Sequence, residues 1–315
     1  MYRRIFLAGL SAAVFCASLA AQPGATRKTA RVNGLNISYL QWGADGAPPM
    51  LLIPGAETTA ISWSSVAPAF AKDFRVISID RPGLGFSDWD PEKHYSVATN
   101  VACYKELARI LGLKNIVVVG HSQGGNEAVV FAAENADNVV ALVAEDGGYM
   151  SPDVMTNPER RAEDAQRGIP ATPPPPGTEP ITWEQALAEA PWWAPGQMTP
   201  EEHQAAAEAR FKPTGDGRFI LRDDPNWMPV SEADRMMQRG ATAPYARRVK
   251  CPTMVMRGGN DTAFTMAAAD MLTSLIPNVR MEAVVPGAGH GLQRDRRAEF
   301  IALVRAFLSV IPAQK

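Results

Sequence analysis

The pentapeptide Gly120-His121-Ser122-Gln123-Gly124 follows the apolar run Ile116–Val119 and leads into the helix-compatible stretch Gln123–Asn135. A strand that turns into a helix within so few residues crowds its backbone, and glycines are required where a Cβ would obstruct the turn. The spacing predicts a tight elbow that holds the Ser122 hydroxyl over a sheet edge. It also sets the N–H of Gln123 at a helix N-terminus, where a developing oxyanion is stabilised. The β-branched run ahead of the elbow, with Gly125 and an apolar helix behind it, makes the pattern far more specific than its five letters.

Strand and helix signals alternate on both sides of this point. Thr29–Val32 and Leu35–Trp42 read as a hairpin with a type I′ turn at Asn33-Gly34. Met50–Ile53, Ser62–Phe70, Arg75–Ile79, Val97–Leu111, the elbow itself and Val139–Ala144 follow. Continuous apolar strands separated by longer helices predict an α/β fold with a mostly parallel central sheet and helices on both faces. The rhythm stops after Gly147-Gly148 and resumes with Thr253–Arg257, Ala267–Ile276, Met281–Val285 and Arg294–Val310.

The interruption is too long for an ordinary connection. It holds the stiff tract Pro173–Pro176 and helix-compatible pieces at Trp183–Ala190 and Pro200–Phe211. Trp183, Trp192, Trp193, Phe211 and Trp227 supply more aromatic surface than disorder carries, so a folded, mainly helical insertion is expected. The expected organisation is a core in two parts, 22–148 and 249–315, with the insertion at 149–248 and a removable leader at 1–21.

That leader carries Arg3-Arg4, the apolar run Ile5–Ala20 and the small-residue pattern Ser18-Leu19-Ala20. It reads as a signal peptide, either of the ordinary secretory kind or of the twin-arginine kind, and predicts a periplasmic or secreted protein. It is too short to be a comfortable membrane span. Beyond it, the 315-residue chain has enough apolar content (46%) for one large core plus a subdomain, and a net charge of -2 speaks against nucleic acid. Cys103 and Cys251 are expected to be buried free thiols. No Cys or His spacing suggests a dedicated metal site. Gly83-x-Gly85 lacks the third glycine of a dinucleotide fingerprint, so no cofactor is expected.

A serine hydroxyl is a poor nucleophile without a base, and the base needs an orienting acid. Among the histidines, His290 in Gly287-Ala288-Gly289-His290-Gly291 is the best base for Ser122, since His94, His121 and His203 lie in a charged loop, the elbow itself and a polar helix. Two acids qualify at the carboxyl ends of strands: Asp261, and Asp146 beside Glu145.

These stations, with Leu51–Gly55 and the run Asp80-Arg81-Pro82-Gly83-Leu84-Gly85-Phe86-Ser87, resemble the α/β-hydrolase superfamily over nearly the whole mature chain. The resemblance implies a cap at 149–248 and a nucleophile, acid, base order of Ser122, Asp261, His290, with Asp146 as the alternative acid. It implies oxyanion donors at the N–H groups of Gln123 and Ala56, the latter in Pro54-Gly55-Ala56-Glu57 where many members have His-Gly. The activity it implies is hydrolysis of a carboxylic ester or lactone through an acyl-enzyme. Amide, thioester or carbon–carbon hydrolysis, haloperoxidase-like chemistry and, more remotely, a non-catalytic binding role share that frame. The substrate expected is a small apolar molecule, with Trp192, Trp193 and Glu57 as candidate contacts. Nothing in the sequence reads out an oligomeric state.

Overall fold

The structure, a computed structural model, describes residues 24–56, 58–149, 179–189, 198–227 and 242–311. The leader, Glu57, Pro173–Pro176, Trp192 and Trp193 lie outside the described residues.

In chain order the core begins with β1 (Thr26–Val32), β2 (Leu35–Trp42), β3 (Pro49–Ile53), a 3-10 turn (Ala60–Trp63), α1 (Ala67–Phe70) and β4 (Arg75–Ile79). It continues with α2 (Val97–Ile110), β5 (Ile116–His121), α3 (Gln123–Glu134) and β6 (Val139–Glu145). The intervening stretch carries α4 (Trp183–Glu189), α5 (Pro200–Arg210), β7 (Phe211–Pro213) and β8 (Phe219–Leu221). The core then resumes with α6 (Ala243–Ala246), β9 (Thr253–Gly258), α7 (Met266–Leu275), β10 (Val279–Val285), α8 (Leu292–Asp295) and α9 (Arg297–Ser309).

One eight-stranded sheet runs in the order β1-β2-β4-β3-β5-β6-β9-β10. The β1–β2 and β2–β4 pairs are antiparallel and the remaining pairs are parallel. Asn33 and Gly34 both take positive φ, 48° and 85°, as a two-residue hairpin turn of the right hand requires. Order reverses at β3 and β5, so the carboxyl ends of these strands open the crevice in which ligands of open α/β sheets bind.

The central parallel strands β3, β5 and β6 are buried almost throughout because alternate residues serve different cores. Ile116 and Val118 of β5 join Val101, Tyr104 and Leu107 of α2 and Phe131 of α3 on one face. Val117 and Val119 join Trp63, Phe70 and, from α9, Phe300, Val304 and Phe307 on the other. Full burial of each such side chain is worth about 1.5–3 kcal/mol, and Phe131→Ala would cost on the order of 3–5 kcal/mol. A capping box fixes the start of α2, with Thr99 N donating to Ser96 Oγ at 3.2 Å and Ser96 N donating to Thr99 Oγ1 at 2.8 Å.

Two expected helices are each split. Ser62–Phe70 becomes the 3-10 turn and α1, because the helix restarts at Ala67 with Pro68, which has no N–H to continue the preceding ladder. Arg294–Val310 becomes α8 and α9, broken at Arg296 (φ -139°, ψ 59°). There Asp295 turns back to accept the N–H of Gly289 at 2.7 Å.

The described part of the stretch between β6 and α6 is not purely helical. β7 and β8 form a two-stranded antiparallel sheet, and Ile181 bridges to Phe219. It has its own small core around Ala186, Ala207 and Phe211. It docks on the loop after β4: Gly85 N donates to Asp223 Oδ1 at 3.0 Å, and Tyr95 Oη and Lys93 Nζ donate to Asp224 Oδ2 at 2.6 and 2.7 Å. Cys103 and Cys251 are free and buried. No helix among the described residues is long and apolar enough to cross a membrane.

Candidate active site

Ser122 sits between β5 and α3 with φ 55° and ψ -121°, a conformation that costs a non-glycine residue on the order of 1–3 kcal/mol. The packing that imposes it is glycine-dependent. A Cβ on Gly120 would overlap the carbonyl of Gly124, and one on Gly124 would overlap the carbonyls of Ile53 and Pro54. The β3 and β5 ends therefore meet directly beneath the serine.

His290 lies in the turn between β10 and α8. Its Nε2 is 2.8 Å from Ser122 Oγ, and its Nδ1 is 2.9 Å from Asp261 Oδ2. Asp261, in the loop after β9, is held in place by the N–H of Ala263 to Oδ1 (2.7 Å) and of Phe264 to Oδ2 (3.2 Å). Burial alone would raise the Asp261 pKa. The charge and hydrogen bond of His290, with the Ala263 N–H and the Asp146 side chain, outweigh it and leave the carboxyl below its ordinary value.

Asp146 does something different. At φ 45° it turns its side chain between two loops, accepting Gly258 N on Oδ1 at 2.7 Å and Gly291 N on Oδ2 at 2.8 Å. It thus ties the start of the Asp261 loop to the residue after His290. Burial, then Asp261 and Glu145, push its pKa well above the carboxylate range. Glu145 accepts Gln293 N at 2.9 Å, and burial raises its pKa to about 8.

His121 is buried, and its ring lies 4.9 Å from that of His290. Burial, then His290, Arg294 and Arg81, hold its pKa well below the ordinary value, so the neutral form prevails. Its donor atoms, with those of Asp146 and His290, fall within 4.8 Å of one another, a spacing compatible with a metal ion. Both Asp146 oxygens and both His290 nitrogens are already engaged as described, so metal binding there would dismantle the Ser122–His290–Asp261 chain.

The loop after β3 lies against the elbow, with an ideal Cβ on Gly55 falling 3.5 Å from Ser122 Cβ. Among the described residues, neither Gln123 N nor Ala56 N has a hydrogen-bond acceptor. Both are donors left over at the sheet's carboxyl edge.

A buried network beneath this loop was not anticipated from the sequence. Arg81 and Glu127, both fully buried, form an ion pair at 2.9 Å. Asn100 Nδ2 and Tyr104 Oη also donate to Glu127, at 2.9 and 2.7 Å. The signal was present: Glu127 is the one acid in the first turns of the helix and runs directly into the apolar stretch Ala128–Ala133, where a buried carboxylate requires a partner.

The family described as alpha/beta hydrolase fold matches residues 48–209 of the chain. A soluble epoxide hydrolase of Corynebacterium sp. (strain C12) is 34% identical over 117 residues, 37% of this chain and 40% of that one. An N-formylmaleamate deformylase of Pseudomonas putida is 30% identical over 128 residues, 41% of this chain and 47% of its own length. The chain thus spans less than half of either relative. In fold it is similar to E-2-(acetamidomethylene)succinate hydrolase, with a TM-score of 0.74 and 22% identity over 91% of this chain and 100% of the other. With more than half its length matched, an eight-stranded sheet of this order and the serine elbow at β5, the chain belongs to the alpha/beta hydrolase fold family.

Proposed function

We propose that the protein is a serine hydrolase that cleaves a carboxylic ester or lactone of a small, largely apolar molecule. The observation that carries the reading is the unbroken chain from Ser122 Oγ through His290 to Asp261, with contacts of 2.8 and 2.9 Å. Such a chain activates a serine for acyl transfer and has little structural purpose at a strained turn.

Ser122 Oγ attacks the carbonyl carbon while its proton passes to His290 Nε2. The oxyanion forms against the N–H groups of Gln123 and Ala56. Collapse of this intermediate breaks the bond to the leaving oxygen, which takes the proton from Nε2. Water, deprotonated by His290, then attacks the acyl carbon; the bond to Ser122 Oγ breaks, Oγ takes the proton back from Nε2, and the acid leaves. Asp261 keeps Nδ1 protonated so that Nε2 faces the serine as a base. A serine at the elbow argues against epoxide opening, which in this family's usual form needs a carboxylate nucleophile.

The second reading is amide hydrolysis on the same residues. It is favoured by the names of two relatives, one an N-formylmaleamate deformylase and the other acting on an acetamidomethylene succinate. The reading further assigns the stretch 149–248 as a cap, with Trp192, Trp193 and Glu57 toward the substrate, and residues 1–21 as an export signal.

The test is a panel of p-nitrophenyl esters of graded chain length, aromatic lactones and matching anilides. The wild type should turn over at least one ester or lactone faster than any anilide, and Ser122→Ala should lose at least on the order of a thousandfold. Preference for the anilides would favour the second reading. Undiminished turnover by Ser122→Ala would reject both.

A further inference from the structure

The guanidinium of Arg81 is completely buried just beyond β4 and spends its donors in two directions. Nε meets both oxygens of Glu127, at 3.1 and 2.9 Å. Nη1 donates to the carbonyl of Gly55 at 2.8 Å, and Nη2 donates to the carbonyl of Pro54. The Gly55 carbonyl takes a second bond from Thr58 Oγ1 at 2.9 Å.

The peptide bond makes this arrangement consequential. The carbonyl of Gly55 and the N–H of Ala56 belong to one planar trans unit, so they point in opposite directions. Two donors fixing the oxygen from below therefore fix the N–H on the other side, away from Arg81. Glu127 reaches the second donor's residue as well, since Gln123 Nε2 bonds to Glu127 Oε1 at 3.3 Å from one turn earlier on α3. Asn100 and Tyr104 of α2 occupy Glu127's remaining acceptor sites.

We propose that the buried Arg81–Glu127 pair, with Thr58, is the positioning device of the oxyanion hole: it sets the 55–56 peptide so that the Ala56 N–H meets the transition-state oxygen. This rests on the serine hydrolase reading above. A lysine would not replace Arg81, because an ammonium lacks the planar fork that spans a carboxylate and two carbonyls. Preorganised donors of this kind act on the charge that develops in the transition state more than on the ground-state ester.

The variants are Arg81→Lys and the milder, uncharged Thr58→Val, which removes one bond to the Gly55 carbonyl. Active sites are counted with a fluorophosphonate, so that misfolded protein is excluded. Per titrated site, kcat, KM and the pH midpoint of kcat/KM are measured on p-nitrophenyl acetate, with the Ki of a trifluoromethyl ketone that forms an oxyanion adduct on serine. Arg81→Lys should lower kcat on the order of a hundredfold, and Thr58→Val a few fold. Ketone affinity should fall by the same factor in each, with KM and the pH midpoint unchanged. A purely structural role would reduce the number of titratable sites and leave these ratios alone. If Arg81→Lys does not fold, Thr58→Val decides. Per-site kcat and ketone affinity within the wild-type range would overturn the inference while leaving the hydrolase reading intact. A wild type that neither labels at Ser122 nor hydrolyses the ester would remove that reading, and this inference with it.

Discussion

The two flanks of Ser122 are built with opposite chemistry. Toward β6, β9 and β10, three buried carboxyl groups gather: Glu145, Asp146 and Asp261, partnered by backbone N–H groups and one imidazole. Toward β3 and β4 a single buried guanidinium is matched by one carboxylate and two carbonyls. On the first flank burial and neighbouring carboxyls raise the pKa values of Glu145 and Asp146, while His290 keeps that of Asp261 low. The second is a closed ion pair in which burial would lower the Arg81 pKa, and Glu127 together with Tyr104 more than restores it. In the proposed mechanism, proton transfer belongs to one side of Ser122 and fixed geometry to the other. The ion pair's contribution is one of arrangement: replacing both partners with apolar groups is often tolerated in proteins, whereas removing one costs about 3–5 kcal/mol.

The largest expected effect lies in the proton-handling flank. Asp261→Asn should leave the loop in place but favour the wrong imidazole tautomer, lowering kcat by up to about four orders of magnitude. Asp146→Asn should cost about tenfold, because its amide nitrogen cannot accept and so loses one of two backbone bonds, while the His290–Asp261 contact stays. Steady-state kinetics on one ester checks both. The reverse ranking would break the comparison by giving Asp146 the role of orienting acid.

Much of this was legible in the sequence, and the reasons are local. The hairpin turn, the continuous apolar strands and the glycine-framed elbow depend on short-range steric rules, and Arg75–Ile79 and Leu35–Trp42 run between the residues their patterns suggest. The choice between Asp261 and Asp146 could not be made locally. Both follow apolar strands, and what separates them is where His290, 29 residues after Asp261 and much further from Asp146, returns to the sheet. The split of the last helix was hidden for a similar reason: the helix breaks at Arg296, just after Asp295 spends its carboxylate on the N–H of Gly289, a loop contact no periodicity encodes. The Arg81–Glu127 pair joins residues 46 apart in sequence, so that Glu127 signals a need for a partner without saying which residue meets it.

A subtler effect sharpens the contrast through pH. Glu145, whose ordinary value is 4.5, titrates at about 8 in the folded protein. Its protonated form is favoured by folding, so this contribution is complete below about pH 4.5 and is lost as pH rises through about 8. The loss is at most about 1.4 kcal/mol per pH unit. Glu145→Gln should remove it. Urea unfolding between pH 5 and 8.5 should show wild type and variant diverging, the wild type losing ground as pH rises. Parallel curves would mean that Glu145 is ionised in the folded state across this range.

The proposed mechanism stands or falls with Ser122 as the activated nucleophile of a relay completed by Asp261. Fluorophosphonate labelling followed by peptide mapping tests it most directly, since the reagent needs an activated serine and no knowledge of the substrate. One adduct per chain is expected, on the peptide containing Ser122, absent in Ser122→Ala and formed far more slowly in Asp261→Asn. Labelling at another residue, no labelling of the folded wild type, or an undiminished rate in Asp261→Asn would contradict it.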